Sequence, residues 1–321
     1  MKSRTKKYTS IALRTLLVVA SIWYLFHDVD LINILTAIKS IHAEHMLLVI
    51  CLGFAQFVIQ GLRLNILSLG IISWKTGVLA SVVCVGLNSL LPAKIGEVAK
   101  LVVMKQNSKL NWDAGIRVLV WERFLDLNML SFTSFLVAFT FQYNNFMWLL
   151  ILGTISIWIA AYALTRWHNQ VLNYVDKIQI QIIMKSLRYA LSGFIPPPSR
   201  KVLTVSTIVT ITLWIFMFIP DAVTYRILAG FDLTTLQMLT VFAVTIVGYS
   251  IPSTPGSIGV FDAAVVLGLG WFGIPKSEAI AAALILRAIH YIPSVLITLL
   301  YLTIGHVSLK NLYLLKENKA P

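Results

Sequence analysis

Along the chain, apolar runs of about bilayer length alternate with short polar segments. The first run, Ile11 to Phe26, follows a leader carrying Lys2, Arg4, Lys6 and Lys7. No small-x-small cleavage site comes after it, so the pattern predicts an uncleaved anchor rather than a removed signal peptide. Arg14, near its start, has a stem long enough to snorkel to the interface. Five further crossings are predicted: Met46 to about Leu62, Asn111 to Phe141, Met147 to Leu164, Val202 to about Ile219, and Ala279 to Ile304. Each approaches the ~20 residues that span a hydrocarbon core as a helix.

Two segments do not fit this rhythm. Thr76 to Leu91 and Ile95 to Met104 are separated by the polar tip Leu91-Pro92-Ala93-Lys94-Ile95-Gly96-Glu97, and Leu236 to Trp271 is broken at Ile251-Pro252-Ser253-Thr254-Pro255-Gly256-Ser257-Ile258-Gly259. At ~1.5 Å per residue the first two pieces reach about 15 to 24 Å, short of a ~30 Å core, which favours re-entrant hairpins over pairs of spans. Arg166 to Lys201 is a basic linker with an amphipathic centre and the stop Pro196-Pro197-Pro198, expected on the membrane surface. The pattern therefore predicts an all-α polytopic membrane protein. It has about six full spans and two broken-helix hairpins, in one integral domain over residues 1–321.

Composition agrees. Hydrophobic residues make up 58% and charged residues 12% of the chain, against about 45–50% and 25% in soluble domains. The net charge of +13 would suggest a nucleic-acid partner in a soluble protein; here it sorts by membrane side instead. With both termini cytoplasmic, eighteen basic residues fall inside and only Lys39, Arg226 and Lys276 outside, as the positive-inside rule requires. Arg63 and Lys75 belong to the cytoplasmic set. An integral membrane location with this orientation follows. Cys51 and Cys84 both lie in apolar runs, and the six histidines show no ligand spacing. No Walker or GxSxG motif is present, so neither a metal nor a cofactor is expected.

The hairpins repeat. Arg63 precedes Pro92 by 29 residues and Arg226 precedes Pro255 by 29; both prolines open Pro-x-x-Ile-Gly, ending at Gly96 and Gly259. Val102-Val103 and Val265-Val266 follow at equal offsets. Arg123 comes 27 residues after Gly96 and Arg287 28 after Gly259, each with a polar partner three positions on, Asp126 or His290. The repeats run about 45–141 and 202–304. In the topology above they are inverted, the architecture of alternating-access transporters.

Eight charges fall in apolar segments: Lys94, Glu97, Lys100, Glu122, Arg123, Asp126, Asp262 and Arg287. At ~2.5–3.5 kcal/mol each they must pair or line a wet cavity. Arg123 and Asp126 form either a structural salt bridge or part of a substrate site. Glu97 and Asp262 either stabilise helix starts after the breaks or meet Arg287 or Lys94. Lys100 and Glu122 have an interfacial reading, and His290 a packing one. Gly256 and Gly259 either expose backbone N–H groups to an anion or permit close packing.

Three ordered motifs then carry a resemblance. Leu91-Pro-Ala-Lys-Ile-Gly-Glu-Val-Ala-Lys100, Glu122-Arg-Phe-Leu-Asp126 and Pro252-Ser-Thr-Pro-Gly-Ser-Ile-Gly-Val-Phe-Asp262 resemble those of the flippase-like membrane domain family. This is the transmembrane region of lysylphosphatidylglycerol synthases, the multiple peptide resistance factor proteins. The resemblance covers essentially the whole chain and implies an integral inner or plasma membrane protein associated with moving lipids, such as aminoacylated phospholipids or glycolipid precursors, between leaflets. Asp262 stands where the family more often has Glu. The 321 residues hold no soluble aminoacyl-transfer domain, so lysyl transfer by this chain alone is not expected. The expected substrate-binding residues are Lys94, Glu97, Arg123, Asp126, Asp262 and Arg287, with Pro92, Gly96, Pro252, Pro255, Gly256 and Gly259 shaping the tips. The expected ligands are membrane lipids. An intramembrane enzyme, or an accessory subunit docked on a lipid-modifying enzyme or glycosyltransferase through the 166–201 linker, is the alternative.

Overall fold

The computed structural model describes residues 43–91, 94–176, 184, 191, 193–251 and 254–304. The expected anchor at Ile11 to Phe26, Pro92, Pro252, most of the amphipathic linker centre and the basic tail lie outside the described residues. Among those described, every regular element is helical: α1 (Ala43–Leu67), α2 (Trp74–Leu90), α3 (Gly96–Gln106), α4 (Trp112–Thr140), α5 (Asn144–Arg166), α6 (His168–Val175), α7 (Arg200–Val223), α8 (Thr235–Ser250), α9 (Val260–Gly270) and α10 (Lys276–Thr303). A π-helical turn, Thr224–Leu228, continues α7, and a 3-10 turn, Pro255–Ser257, precedes α9.

Four stretches are long and apolar enough to cross a membrane: Met46–Leu67, Met147–Arg166, Arg200–Ile227 and Lys276–Thr303. These correspond to four of the expected spans. The fifth, α4, forms as expected over 29 residues, about 43 Å at ~1.5 Å per residue, but carries Asp113, Arg117, Glu122, Arg123 and Asp126 in its first half. The broken segments form as short helices, α2 with α3 and α8 with α9. Lengths recur in order along the chain: 25, 17, 11 and 29 residues for α1 to α4, then 24, 16, 11 and 28 for α7 to α10.

Local chemistry sets several boundaries. Asn111 caps α4 by accepting from the Ala114 N–H at 2.8 Å, and Thr234 and Gln237 form a reciprocal capping box at the start of α8. Two expected span ends move outward. The run ending near Leu62 continues as helix to Leu67, and the one ending near Ile219 continues through Pro220 to Val223. Each extension draws a charged residue, Arg63 or Asp221, into helix interior.

The chain divides into two compact units. The first comprises residues 1–56, 82–100 and 215–321. Its core joins Tyr225, Phe231 and Leu233 to residues of α8, α9 and α10, including the alanine-rich start of α10 from Ala279 to Ala283. Small residues let the helices approach closely: a Cβ on Gly248 would stand 2.5 Å from the Ala264 Cβ, and one on Gly86 would run into Ser294 and Thr298 of α10. Val49 on α1 packs against Ile285 and Ile289.

The second unit comprises residues 57–81 and 101–214. Trp121, Phe124 and Phe194 form its aromatic centre, packed with Ala161. Trp158 donates to the Asn128 side chain at 2.7 Å, tying α5 to α4. Gly61 and Gly77 bring α1 and α2 into backbone contact: a Cβ on Gly77 would lie 2.7 Å from the Gly61 carbonyl oxygen. That neighbour is main chain and cannot rotate away. Gly77→Val is therefore expected to destabilise by at least the ~1–3 kcal/mol of core overpacking. Thermal unfolding in detergent would show it, and an unchanged midpoint would contradict the close approach.

Candidate functional site

The first unit brings the tips of both broken hairpins together. In the first hairpin α2 ends at Leu90 and the chain turns through Lys94, whose φ is +51°, a left-handed value unusual for a side chain of this kind. The Asn88 side chain reaches forward to accept from the Gly96 N–H at 2.8 Å. Gly96 itself has no room for a side chain, because a Cβ would overlap the Cys84 carbonyl. Glu97 stands half-buried in the first turn of α3. Lys94 donates to the Ser250 carbonyl at 3.0 Å and lies 5.2 Å from the Tyr249 ring centroid. The ammonium thus sits at the C-terminal, negative end of α8.

In the second hairpin the turn depends on glycine at Gly256 (φ +62°) and Gly259 (φ +86°). Thr254 Oγ1 donates to the Ile258 carbonyl at 2.9 Å. Asp262 Oδ2 accepts from the Gly259 N–H at 2.9 Å, so this carboxylate does stabilise the start of α9. It also meets Arg287 of α10 in a two-point pair: Nε to Oδ1 at 2.9 Å and Nη2 to Oδ2 at 2.5 Å. Nη1 of Arg287 donates to the Gly256 carbonyl at 2.9 Å. One guanidinium therefore staples the tip to the helix start, the bidentate geometry that gives such pairs their strength.

Three rings line this arrangement. The guanidinium carbon lies 5.2 Å from Phe261 and 5.3 Å from Tyr291, and Tyr291 lies 6.4 Å from Tyr249, which faces Lys94. A shelf of aromatic faces thereby connects the two cations. The hairpins touch directly as well, since a Cβ on Gly256 would come 3.4 Å from the Ser89 carbonyl oxygen. Pro255, Gly256, Gly259, Asp262 and Arg287 thus gather with Lys94 and Gly96. The side chains of Arg287 and Asp262 keep 18% and 9% of their surface, so the pair is not sealed.

Arg123 and Asp126 belong to the second unit, and their environment differs from the expected isolated pair. Asp126 does accept from Arg123 at 3.3 Å, but Arg123 is 54% exposed. The shorter bond comes from Arg63, at 2.5 Å. Arg63 also binds Glu122 at 2.7 Å, and both side chains are almost fully enclosed. Thr210 and Trp214 of α7 complete the surroundings. Arg63, counted among the cytoplasmic charges by sequence, is an ion-pair centre enclosed by helix packing, and Glu122 and Lys100 are equally buried. Arg226, matched to Arg63 by spacing, is exposed instead.

Sequence reasoning also passed over Asp221, whose carboxylate meets His290 at 2.9 Å, and the ring shelf of Tyr249 and Tyr291. Pro220 was the misleading signal, because a proline at the end of an apolar run reads as a stop.

Long apolar helices, two broken hairpins and ion pairs buried among them define an integral membrane protein built around polar groups inside its helix packing. Among curated proteins none matches the chain. The family profile described as "Lysylphosphatidylglycerol synthase TM region" matches residues 11–298, and the chain belongs to that family.

Proposed function

We propose that this protein moves a phospholipid headgroup between the leaflets of an inner or plasma membrane, its termini facing the cytoplasm. The two hairpins enter from opposite faces as inverted repeats and act as the alternating doors. One observation carries the reading. A guanidinium has five N–H donors, and Arg287 uses one from each of its nitrogens on Asp262 and Gly256. Two donors therefore have no partner among the described residues. Arginine held rigidly with donors to spare is suited to a phosphodiester. Lys94 adds positive charge along the aromatic shelf, while the acyl chains stay in lipid. Membership in a family named for the membrane part of lipid synthases supports a lipid ligand. A separate lipid-modifying enzyme supplies the substrate in this scheme, and the chain itself redistributes lipid without changing its chemistry.

The test is reconstitution with headgroup-labelled phosphatidylglycerol and its aminoacylated form, in vesicles treated with an impermeant quencher. Protein-containing vesicles are expected to lose signal beyond the outer-leaflet share. Signal held at that share for every lipid would overturn the proposal.

A further inference from the structure

Asp221 and His290 take no part in the tip contacts described above, yet they form a second ion-pairing site within the first unit. The Asp221 side chain is 4% exposed and that of His290 20%. His290 Nε2 is its one hydrogen-bonding side-chain partner among the described residues. A carboxylate enclosed in this way and bonded to a partly exposed imidazole forms a pair that can hold or release a single proton and so change its net charge by one. Histidine is the side chain suited to do so near neutral pH, and an intramembrane acid with such a partner is a common proton-relay element.

Both residues sit beside breaks in their helices. Pro220 precedes Asp221 inside α7 and removes an N–H from its hydrogen-bond ladder, and the π turn Thr224–Leu228 follows at once. On α10, Pro293 lies three residues past His290. Ser294 Oγ turns back to the His290 carbonyl at 3.2 Å. Each helix therefore has a weakened ladder where the pair joins them. Three residues before His290, on the same face of α10, is Arg287, the residue that holds the Gly256 carbonyl and Asp262.

The surroundings identify what else bears on this charge. Tyr225, buried on the π turn, is the ionisable neighbour of Asp221 along its own element. Arg287 and Tyr291 flank His290 on α10, with Asp262 of α9 and Tyr249 of α8 behind them. From α1 come the apolar side chains Met46, Ile50 and Val49, packed with Val223, Ile285 and Ile289.

We propose that Asp221 and His290 form a proton-binding site whose occupancy sets the grip of Arg287 on the 254–262 tip, linking the protein's lipid movement to protons. Only the final link, to lipid, rests on the translocation reading. With a proton bound, the pair is a neutral Asp–imidazolium bridge that holds α7 against α10. Without it the site carries one negative charge and the bridge loosens. The helices then shift at their proline breaks, and the tip is released.

The test reads the tip itself. Ile258, exposed on the second hairpin, is replaced by cysteine in a Cys51→Ala, Cys84→Ala background. Its rate of thiol labelling is measured in bilayers between about pH 5 and pH 8, the range in which histidine titrates. Dividing by the rate for the same cysteine in a His290→Gln protein at each pH removes the reagent's own pH dependence. The ratio is expected to rise several-fold with pH, and Asp221→Asn to abolish that rise. His290→Arg, which keeps a permanent cation on Asp221, is expected to hold the slow, low-pH labelling throughout and serves if the glutamine variant does not fold. A flat ratio overturns the proton site. The vesicle assay, run on the same proteins, separates the two readings: pH-dependent labelling without lipid movement overturns the transport reading alone, and lipid movement with a flat ratio overturns the proton site alone.

Discussion

Replacing Arg63 by methionine is expected to destabilise the protein by about 3–5 kcal/mol, the range for removing one partner from a buried ion pair. Arg63 retains 1% of its surface and is shared by Glu122 and Asp126 at 2.7 and 2.5 Å. Methionine matches much of its volume, so the loss is electrostatic: two carboxylates remain in a helix interior without the guanidinium they share. The triple variant Arg63→Met, Glu122→Met, Asp126→Leu removes the charges together and is expected to recover most of the loss, since well-packed apolar residues of similar volume often replace buried pairs at little cost. Arg123→Gln should change stability by less than ~1 kcal/mol, as exposed pairs do. Thermal unfolding in detergent orders the variants. A midpoint for Arg63→Met equal to that of Arg123→Gln would refute the assignment of Arg63 as the centre of the cluster.

The second large effect concerns the tip. Arg287→Lys keeps the charge but loses the planar fork that meets both oxygens of Asp262 and the Gly256 carbonyl at once. Lipid movement in the vesicle assay is expected to fall by at least about tenfold, equivalent to ~1.4 kcal/mol. Asp262→Asn should act similarly, because it removes the charge facing Arg287 and weakens the acceptor for the Gly259 N–H. Asp262→Glu keeps the carboxylate with a longer reach and is expected to retain activity. Lysine performing as well as arginine would show that charge alone suffices and would remove the geometric argument for phosphate recognition.

Much of this site was legible in the residue order. A proline and glycines interrupting an apolar run can only be a break, and a charge beside the break must be satisfied by something close. That reasoning selected Lys94, Asp262 and Arg287, and the last two do bond to each other. It did not foresee Arg63. A single charge just past the predicted end of an apolar run looks like a loop residue when helix ends are placed by hydropathy alone. Helix α1 continues about a turn beyond Arg63, so the charge lies where another helix meets it. Glu122 and Lys100 lie well inside α4 and α3, and their burial comes from tertiary packing. Asp221 was hidden in the same way behind Pro220. The 29-residue spacing that paired Arg63 with Arg226 follows helix lengths faithfully but says nothing of side-chain environment.

What the sequence by itself determined was local or cumulative. Apolar runs of membrane length, proline and glycine breaks, cap residues and the sum of charge each act within a few residues or over the chain as a whole, and they define an all-helical membrane protein with two broken hairpins. Tertiary structure alone decided which charges meet. Arg63 joins Glu122 59 positions away, Arg287 joins Asp262 across 25, and His290 joins Asp221 across 69. Such pairings depend on which faces of separate helices come into contact. That is set by close packing at residues such as Gly61, Gly77 and Gly248, whose effect on a distant side chain is geometric and leaves no mark in the pattern around it.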